Sequence, residues 1–297
     1  DVYKRQKQMM IFKNFVELQN ENAVAEKLGI TQPTVTFHLK NLNNELGIPL
    51  YFKKGKCFNL TDAGDLLYRN SNKMLNLIDE TTHMIEEFKQ SKRGTLRVGA
   101  SHAPIYSILP TTLKKYMHDY PNIDMNLIVD TAPMILKKIK DREIDIGVIS
   151  EKGFNEKELK VKRLQENPLV IAMDKRHPLA SKTDISLEDL NAYRFIIHSS
   201  GSTRESIDDW RKNNFIDLNV HMESNSISSI LTIIKDSNYL SLVSQSTLFH
   251  HPNIIGKSLK EGPPSSYISI VYRADHHLTA LIQNFMTLIY SLKNESI

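Results

Sequence analysis

Between Ile30 and Gly47 the chain reads ITQPTVTFHLKNLNNELG. Val35, Leu39, Leu42 and Leu46 recur at helical spacing, so a helix here turns Gln32, Thr34, Thr36, Phe37, His38 and Lys40 outward. Those side chains suit the edges of base pairs. Glutamine can pair bidentately with adenine, threonine offers a hydroxyl and a methyl, and an exposed phenylalanine can meet a thymine methyl. Thr31 is placed to cap the helix, and Pro33 falls in its first turn, where a missing N–H costs little. The blander alternative is a three-helix packing unit whose polar face is merely solvated.

Hydroxyl groups gather at the ends of β-prone runs further on. Ser101 and His102 follow TLRVGA, Thr131 follows DMNLIVD, and Ser150 closes IDIGVIS. The run from Ser199 to Thr203, SSGST, precedes a helix and resembles an anion cradle, with Arg204 beside it. Ligands of open α/β sheets sit at the carboxyl ends of strands, where helix starts present free N–H groups. Serine and threonine there are also ordinary helix caps.

Enzyme chemistry finds no support. The chain has no Gly-x-Gly-x-x-Gly, no P-loop and no Gly-x-Ser-x-Gly. The pairs His250–His251 and His276–His277 lack the i, i+4 spacing of a zinc helix and read as surface loops. Cys57 is the only cysteine, so neither an internal disulfide nor a cysteine-based zinc site can form, and no cofactor or metal is expected. No apolar run reaches the ~18 residues of a membrane span, and the N-terminus lacks an apolar signal core, which points to the cytoplasm. A net charge of +4 and a pI near 8.9 permit an anionic partner without requiring one.

The elements that must position these groups follow from rhythm. Residues 10–20 and 22–28 read as two helices ahead of the third, and three short helices in so few residues suggest a helix-turn-helix. IPLYFKKGKCFNLT reads as a hairpin carrying Lys53, Lys54 and Lys56. A long helix from Asp62 to about Lys92 places Leu67, Met74, Ile78 and Ile85 in a seam suited to pairing with a second copy. QSKRG, 90–94, breaks that pattern. Beyond it, strands alternate with helices, which predicts a parallel sheet covered by helices. Trp210 is expected to pack a helix on a subdomain face. The opening DVYKRQ looks like a translated sequencing adapter and is set aside, with the true start expected at Met9 or Met10 or missing altogether.

The stretch VAEKLGITQPTVTFHLKNLNNELGIPLYFKK followed by LTDAG resembles the N-terminal signature of LysR-type transcriptional regulators. It matches at Ala25, Leu28, Thr31, Gln32, Pro33, Leu46, Gly47, Leu50, Tyr51, Leu60, Thr61 and Gly64. RGTLRVGAS and ILPTTLKKYMHDYPNIDMNL resemble the start of that family's effector domain. The departures are a connection about three residues short between Phe15 and Leu28, Val24 for an alanine, and Phe37 where arginine is common. Ser237 and Tyr239 also replace a Gly-x-Gly, and Ser244 a proline.

The resemblance implies an α/β protein of three parts. These are a winged helix-turn-helix (7–64), a linker and dimerisation helix (65–93), and an effector domain of periplasmic-binding-protein-like plan (94–297). Subdomain I of that domain would take about 94–165 and 266–297, and subdomain II about 166–265. It implies that Gln32, Pro33 and Thr36 meet bases and that Lys53, Lys54 and Lys56 meet phosphate or the minor groove. It also makes Ser101, His102, Thr131, Ser150, Ser199, Ser200 and Thr203 candidates for a small, anionic effector. The partners implied are double-stranded DNA, that effector, further copies in a homodimer or homotetramer, and RNA polymerase. The rival reading is a solute-binding protein with no role on DNA.

Overall fold

The computed structural model describes residues 2–54, 57–88 and 94–295, and the chain divides into a unit of residues 1–89 and a unit of residues 90–297. In the first, α1 (Val2–Leu18), α2 (Glu21–Leu28) and α3 (Gln32–Leu46) precede a hairpin of β1 (Tyr51–Lys54) and β2 (Cys57–Leu60), then α4 (Asp62–Phe88). The first helix runs on through the residues set aside as adapter-like, and Gln8, ahead of Met9, is buried.

The shortened connection works because it is almost no connection at all. Gln19 takes a left-handed turn at φ 53°, and the Asn20 side chain then accepts from the amides of Asn22 and Ala23, capping α2. Ile11, Phe12, Phe15, Val24, Val35, Leu39, Leu42 and Leu50 form one buried core, so the valine in the alanine position fills space inside the domain. Phe15 meets Tyr51 and Phe58 edge-on at 5.0 and 5.2 Å and so fixes the hairpin to the helices.

The start of α4 is pinned to this core. Thr61 Oγ1 accepts the Gly64 amide at 3.0 Å and donates to Pro49 O at 2.8 Å. A Cβ on Gly64 would stand 1.8 Å from Leu50 O, so only glycine allows the helix to pass this close. The helix begins at Asp62, inside the span assigned from sequence to the DNA-binding domain.

The second unit continues with β3 (Gly94–Ala100), α5 (His102–Ile105), α6 (Ile108–Asp119), β4 (Ile123–Val129), α7 (Ala132–Lys140), β5 (Ile146–Glu151), β6 (Leu159–Asn167) and β7 (Leu169–Asp174). Then come α8 (Leu187–Leu190), β8 (Phe195–His198), α9 (Ser202–Asn214), β9 (Val220–Ser224), α10 (Ile227–Ile234), β10 (Ser241–Ser244), β11 (Ile254–Lys257), β12 (Ser266–Arg273) and α11 (Ala280–Glu295). The first lobe is a sheet in the order β4-β3-β5-β12-β6. The expected parallel sheet holds only for β4, β3 and β5, because β12 pairs antiparallel with both β5 and β6. The sequence reading had no strand at β6.

The second lobe joins antiparallel β10-β7-β11 to the parallel pair β8-β9, with a bridge from Phe195 to Leu240 between them. Each lobe has its own core, one around Tyr116 and Phe285 and the other around Phe195 and Trp210. Trp210 packs as expected and donates to Glu261 O at 2.6 Å. The chain passes between the lobes where Asn167 and Ser266 pair, so both crossings lie side by side. His276 is not a surface residue: it is buried, with its Nδ1 2.6 Å from Arg273 Nη2.

Candidate functional sites

On α3, Val35, Leu39 and Leu42 face the core while Gln32, Pro33, Phe37 and Lys40 stand exposed and Thr34, Thr36 and His38 are half-buried. Phe37 keeps 59% of its surface in solvent, a large apolar group on a polar face. Thr31 occupies the N-cap, but its hydroxyl bonds to Thr34 Oγ1 at 2.8 Å rather than to a helix amide.

The amide of Gln32 is tied down. Its Nε2 donates to Glu21 Oε2 and to Thr36 Oγ1, both at 2.9 Å, and Thr36 Oγ1 also donates to the same Glu21 oxygen. Glu21, at the first position of α2, was not among the residues singled out from sequence. Lys53 and Lys54 lie on β1, with side chains that, like all of Lys56, fall outside the described residues.

Along α4 three of the four positions expected in a pairing seam lie on the outer face. Met74, Ile78 and Ile85 are exposed, and Leu66 and Leu77 widen the stripe. Leu67 does not belong to it, because it packs against the core of its own domain.

In the second unit a cavity of about 340 Å³ opens between the lobes. Its lining includes the first turn of α7, the run from Ile149 to Phe154 at the end of β5 and just beyond it, the first turn of α9, Leu169, Ser244, Pro264 and Ser266. Of the sequence candidates, Ser150 and Thr203 reach it. Ser150 Oγ lies 3.0 Å from Ser266 Oγ, which itself donates to Asn167 O at 2.8 Å. The Ser150 proton therefore points to Ser266, leaving its oxygen able to accept. Ser101 stands behind this wall, buried, with Oγ accepting the Ser150 amide. His102, Thr131, Ser199 and Ser200 are exposed and outside the lining, Thr131 as the residue preceding α7.

The charge balance also differs from expectation. Arg204 was expected as the nearby cation, yet it donates to Asp208 at 2.6 Å, Glu223 at 2.7 Å and His198 O at 3.0 Å, and lies outside the lining. These carboxylates hold its pKa above the ordinary value. Lys152 is the cation in the lining, which also carries the carboxylates of Glu151 and Glu205. Glu151 is occupied, accepting from Ser269 at 2.8 Å and from Arg163 at 3.1 Å. His198, at the end of β8, is pushed below its usual pKa by burial and then by His102. The rule about strand ends, extended two residues past Ser150, would have found Lys152.

Comparison with known proteins adds the lineage. Residues 6–65 match the family described as bacterial regulatory helix-turn-helix protein, lysR family, and residues 89–292 match the LysR substrate binding domain. A probable RuBisCO transcriptional regulator of Thalassiosira pseudonana is 30% identical, with 97% of each chain covered. The transcriptional activator CmpR of Synechocystis is 26% identical over 96% of this chain and 94% of its own. Among solved structures, full-length CbnR complexed with its target DNA superposes with a TM-score of 0.70 at 19% identity, covering 96% of this chain and 99% of that one. The Synechocystis CcmR regulatory domain in complex with 2-PG gives 0.60 at 26% identity, covering 68% of this chain and 98% of that one. With the family matched over both units and a relative aligned from end to end, this chain belongs to the LysR family of helix-turn-helix transcriptional regulators.

Proposed function

We propose that this regulator reads duplex DNA with the exposed face of α3 and the β1–β2 wing, and that a small anionic effector bound between the lobes sets how firmly it does so. The observation that carries the effector reading is the cavity itself. It is walled by the start of α9, whose first N–H groups have no partner within the helix, and by Lys152, beside the carboxylate of Glu205. The 2-PG complex of CcmR supports an anion of that size. We read the protein as a cytoplasmic regulator with no catalytic activity and no cofactor. It would act with RNA polymerase and pair with a second copy, as homodimer or homotetramer, through the α4 stripe. Among the described residues no helix is long and apolar enough to cross a membrane. The solute-binding alternative leaves the match over residues 6–65 without a purpose.

The test is titration of the full chain with 2-PG by calorimetry, paired with duplex binding in the presence and absence of the ligand. Coupling between ligand and DNA should be reciprocal and about 1 to 3 kcal/mol. Binding of neither 2-PG nor any other small carboxylate or phosphate would sink the effector reading, and failure to select any duplex sequence would sink the DNA reading.

A further inference from the structure

We infer that the effector carries an O–H or N–H donor beside its negative charge, and that Glu205 selects for that donor. The inference rests on the reading that a small anion binds between the lobes, and it names the class of anion. The lining holds more acceptors than a bare anion can use. Glu205 lies exposed in the first turn of α9, and among the described residues its carboxylate has no hydrogen-bond or ion-pair partner. Two hydroxyls of the lining have their protons committed within the protein: Ser150 Oγ donates to Ser266 Oγ at 3.0 Å, and Ser206 Oγ donates to Ser202 O at 2.9 Å. Each keeps only lone pairs. Glu151 is by contrast occupied, by Ser269, Arg163 and the Gly153 amide.

The donors of the lining are Lys152, just beyond β5 on one lobe, and the first N–H groups of α9 on the other. The hydroxyls of Ser202 and Thr203 can serve either way. An anion drawn to Lys152 and the start of α9 therefore arrives beside a carboxylate on the same helix turn. Like charges repel, and a ligand made of acceptors alone displaces water from Glu205 without replacing its hydrogen bonds. A hydroxyl or ammonium on the ligand turns that contact into a charge-assisted hydrogen bond. A site that holds an unpaired acceptor rejects the analogue lacking the matching donor, which makes Glu205 a specificity-determining residue. The class is a hydroxy acid, an amino acid or a phosphate ester of either, small enough for a cavity of about 340 Å³.

The test is calorimetry on the full chain with acids matched in carbon chain and differing at one carbon: succinate, malate and aspartate, then propionate, lactate and alanine. In at least one set the hydroxy or amino acid should bind about tenfold more tightly than the bare acid, the scale of one charge-assisted hydrogen bond. Glu205→Met keeps the length and removes the acceptor. It should bring each set within about threefold and should not weaken the bare acid, a pattern that a merely structural role of Glu205 would not give. Glu205→Ala serves if the methionine variant does not fold. Glu205→Gln separates the two sources of donor. Its amide oxygen still accepts from a hydroxyl but no longer attracts an ammonium, so a preference for malate should persist and one for aspartate should fall. A parent that binds each bare acid as tightly as its partners overturns the inference. So does a preference that survives removal of the acceptor unchanged, and so does binding of 2-PG with none of these acids. A chain that binds neither 2-PG nor any acid overturns the effector reading beneath it, a result distinct from these.

Discussion

The Ser101 hydroxyl oxygen accepts the backbone N–H of Ser150 at 2.8 Å, bridging the carboxyl ends of β3 and β5. Ser101 is thus a strut behind the cavity wall, and the residue that lines the cavity is Ser150. Ser101→Ala leaves the Ser150 amide without its partner and should cost about 1 to 3 kcal/mol of stability. Thermal or urea unfolding of the full chain checks this. A melting curve identical to the parent would mean that solvent satisfies the amide equally well.

Lys152 and Thr203 should govern effector affinity from opposite lobes. Lys152→Met removes the cation of the lining and should weaken 2-PG binding by about tenfold, the scale of one charge-assisted hydrogen bond. Thr203→Val keeps the shape and removes a hydroxyl, with a smaller loss. Calorimetry on both variants decides it, and Arg204→Ala is the contrast. Its losses should appear in unfolding, because it ties α9 to β8 and β9.

Gln32→Ala should cost roughly 1 to 3 kcal/mol on the selected sequence and little on random duplex. Equal loss on both would remove Gln32 from the readout.

The α4 stripe and Leu67 separate by different measurements. Met74→Glu with Ile78→Glu places charge on the exposed apolar face and should give monomers by sedimentation with the melting temperature nearly unchanged. Leu67→Ala should leave association intact and lower the stability of the N-terminal unit by about 1 to 2 kcal/mol. Persisting dimers in the double glutamate variant would move the interface elsewhere.

A pH dependence follows from Asp174. Its carboxylate accepts the Arg176 amide at 2.9 Å and the Asp236 amide at 2.8 Å, bracing Asp236 in its left-handed turn at φ 57°. The bond from the Arg176 amide, and then its guanidinium, hold Asp174 below the usual carboxylate range. The unfolded chain therefore binds this proton more readily. The stabilisation is complete above about pH 4 and is lost as pH falls through the lower folded value. Melting temperatures taken from pH 5 downward should drop more steeply for the parent than for Asp174→Asn.

How far the sequence carried these results depends on how local each cause was. The α3 helix was legible because one spacing of apolar residues and an early proline define it within a few turns. The sheet direction was not, because β12 lies over a hundred residues from β5 and no local pattern records which way they pair. Strand β6 escaped notice because LKVKRLQEN carries charges on a face that stays in solvent, so it reads as a linker. Leu67 was misassigned because the same spacing serves both the inner core and the outer stripe at the start of α4, where neighbouring Leu66 is 58% exposed. The bonds of Glu21 to Gln32 and Thr36 span 11 and 15 residues between two helices, a relation that appears only once both are placed.

The close pass of Gly64 over Leu50 has a mechanical meaning. With α4 seated against the base of the hairpin and no break along its 27 residues, the helix is a lever of about 40 Å whose first turn is fixed to the core of its own unit. A tilt of about 10° at one end sweeps the other through roughly 7 Å, close to two base-pair steps along a duplex. On the proposed reading, so small a tilt would be enough to shift α3 against a duplex groove.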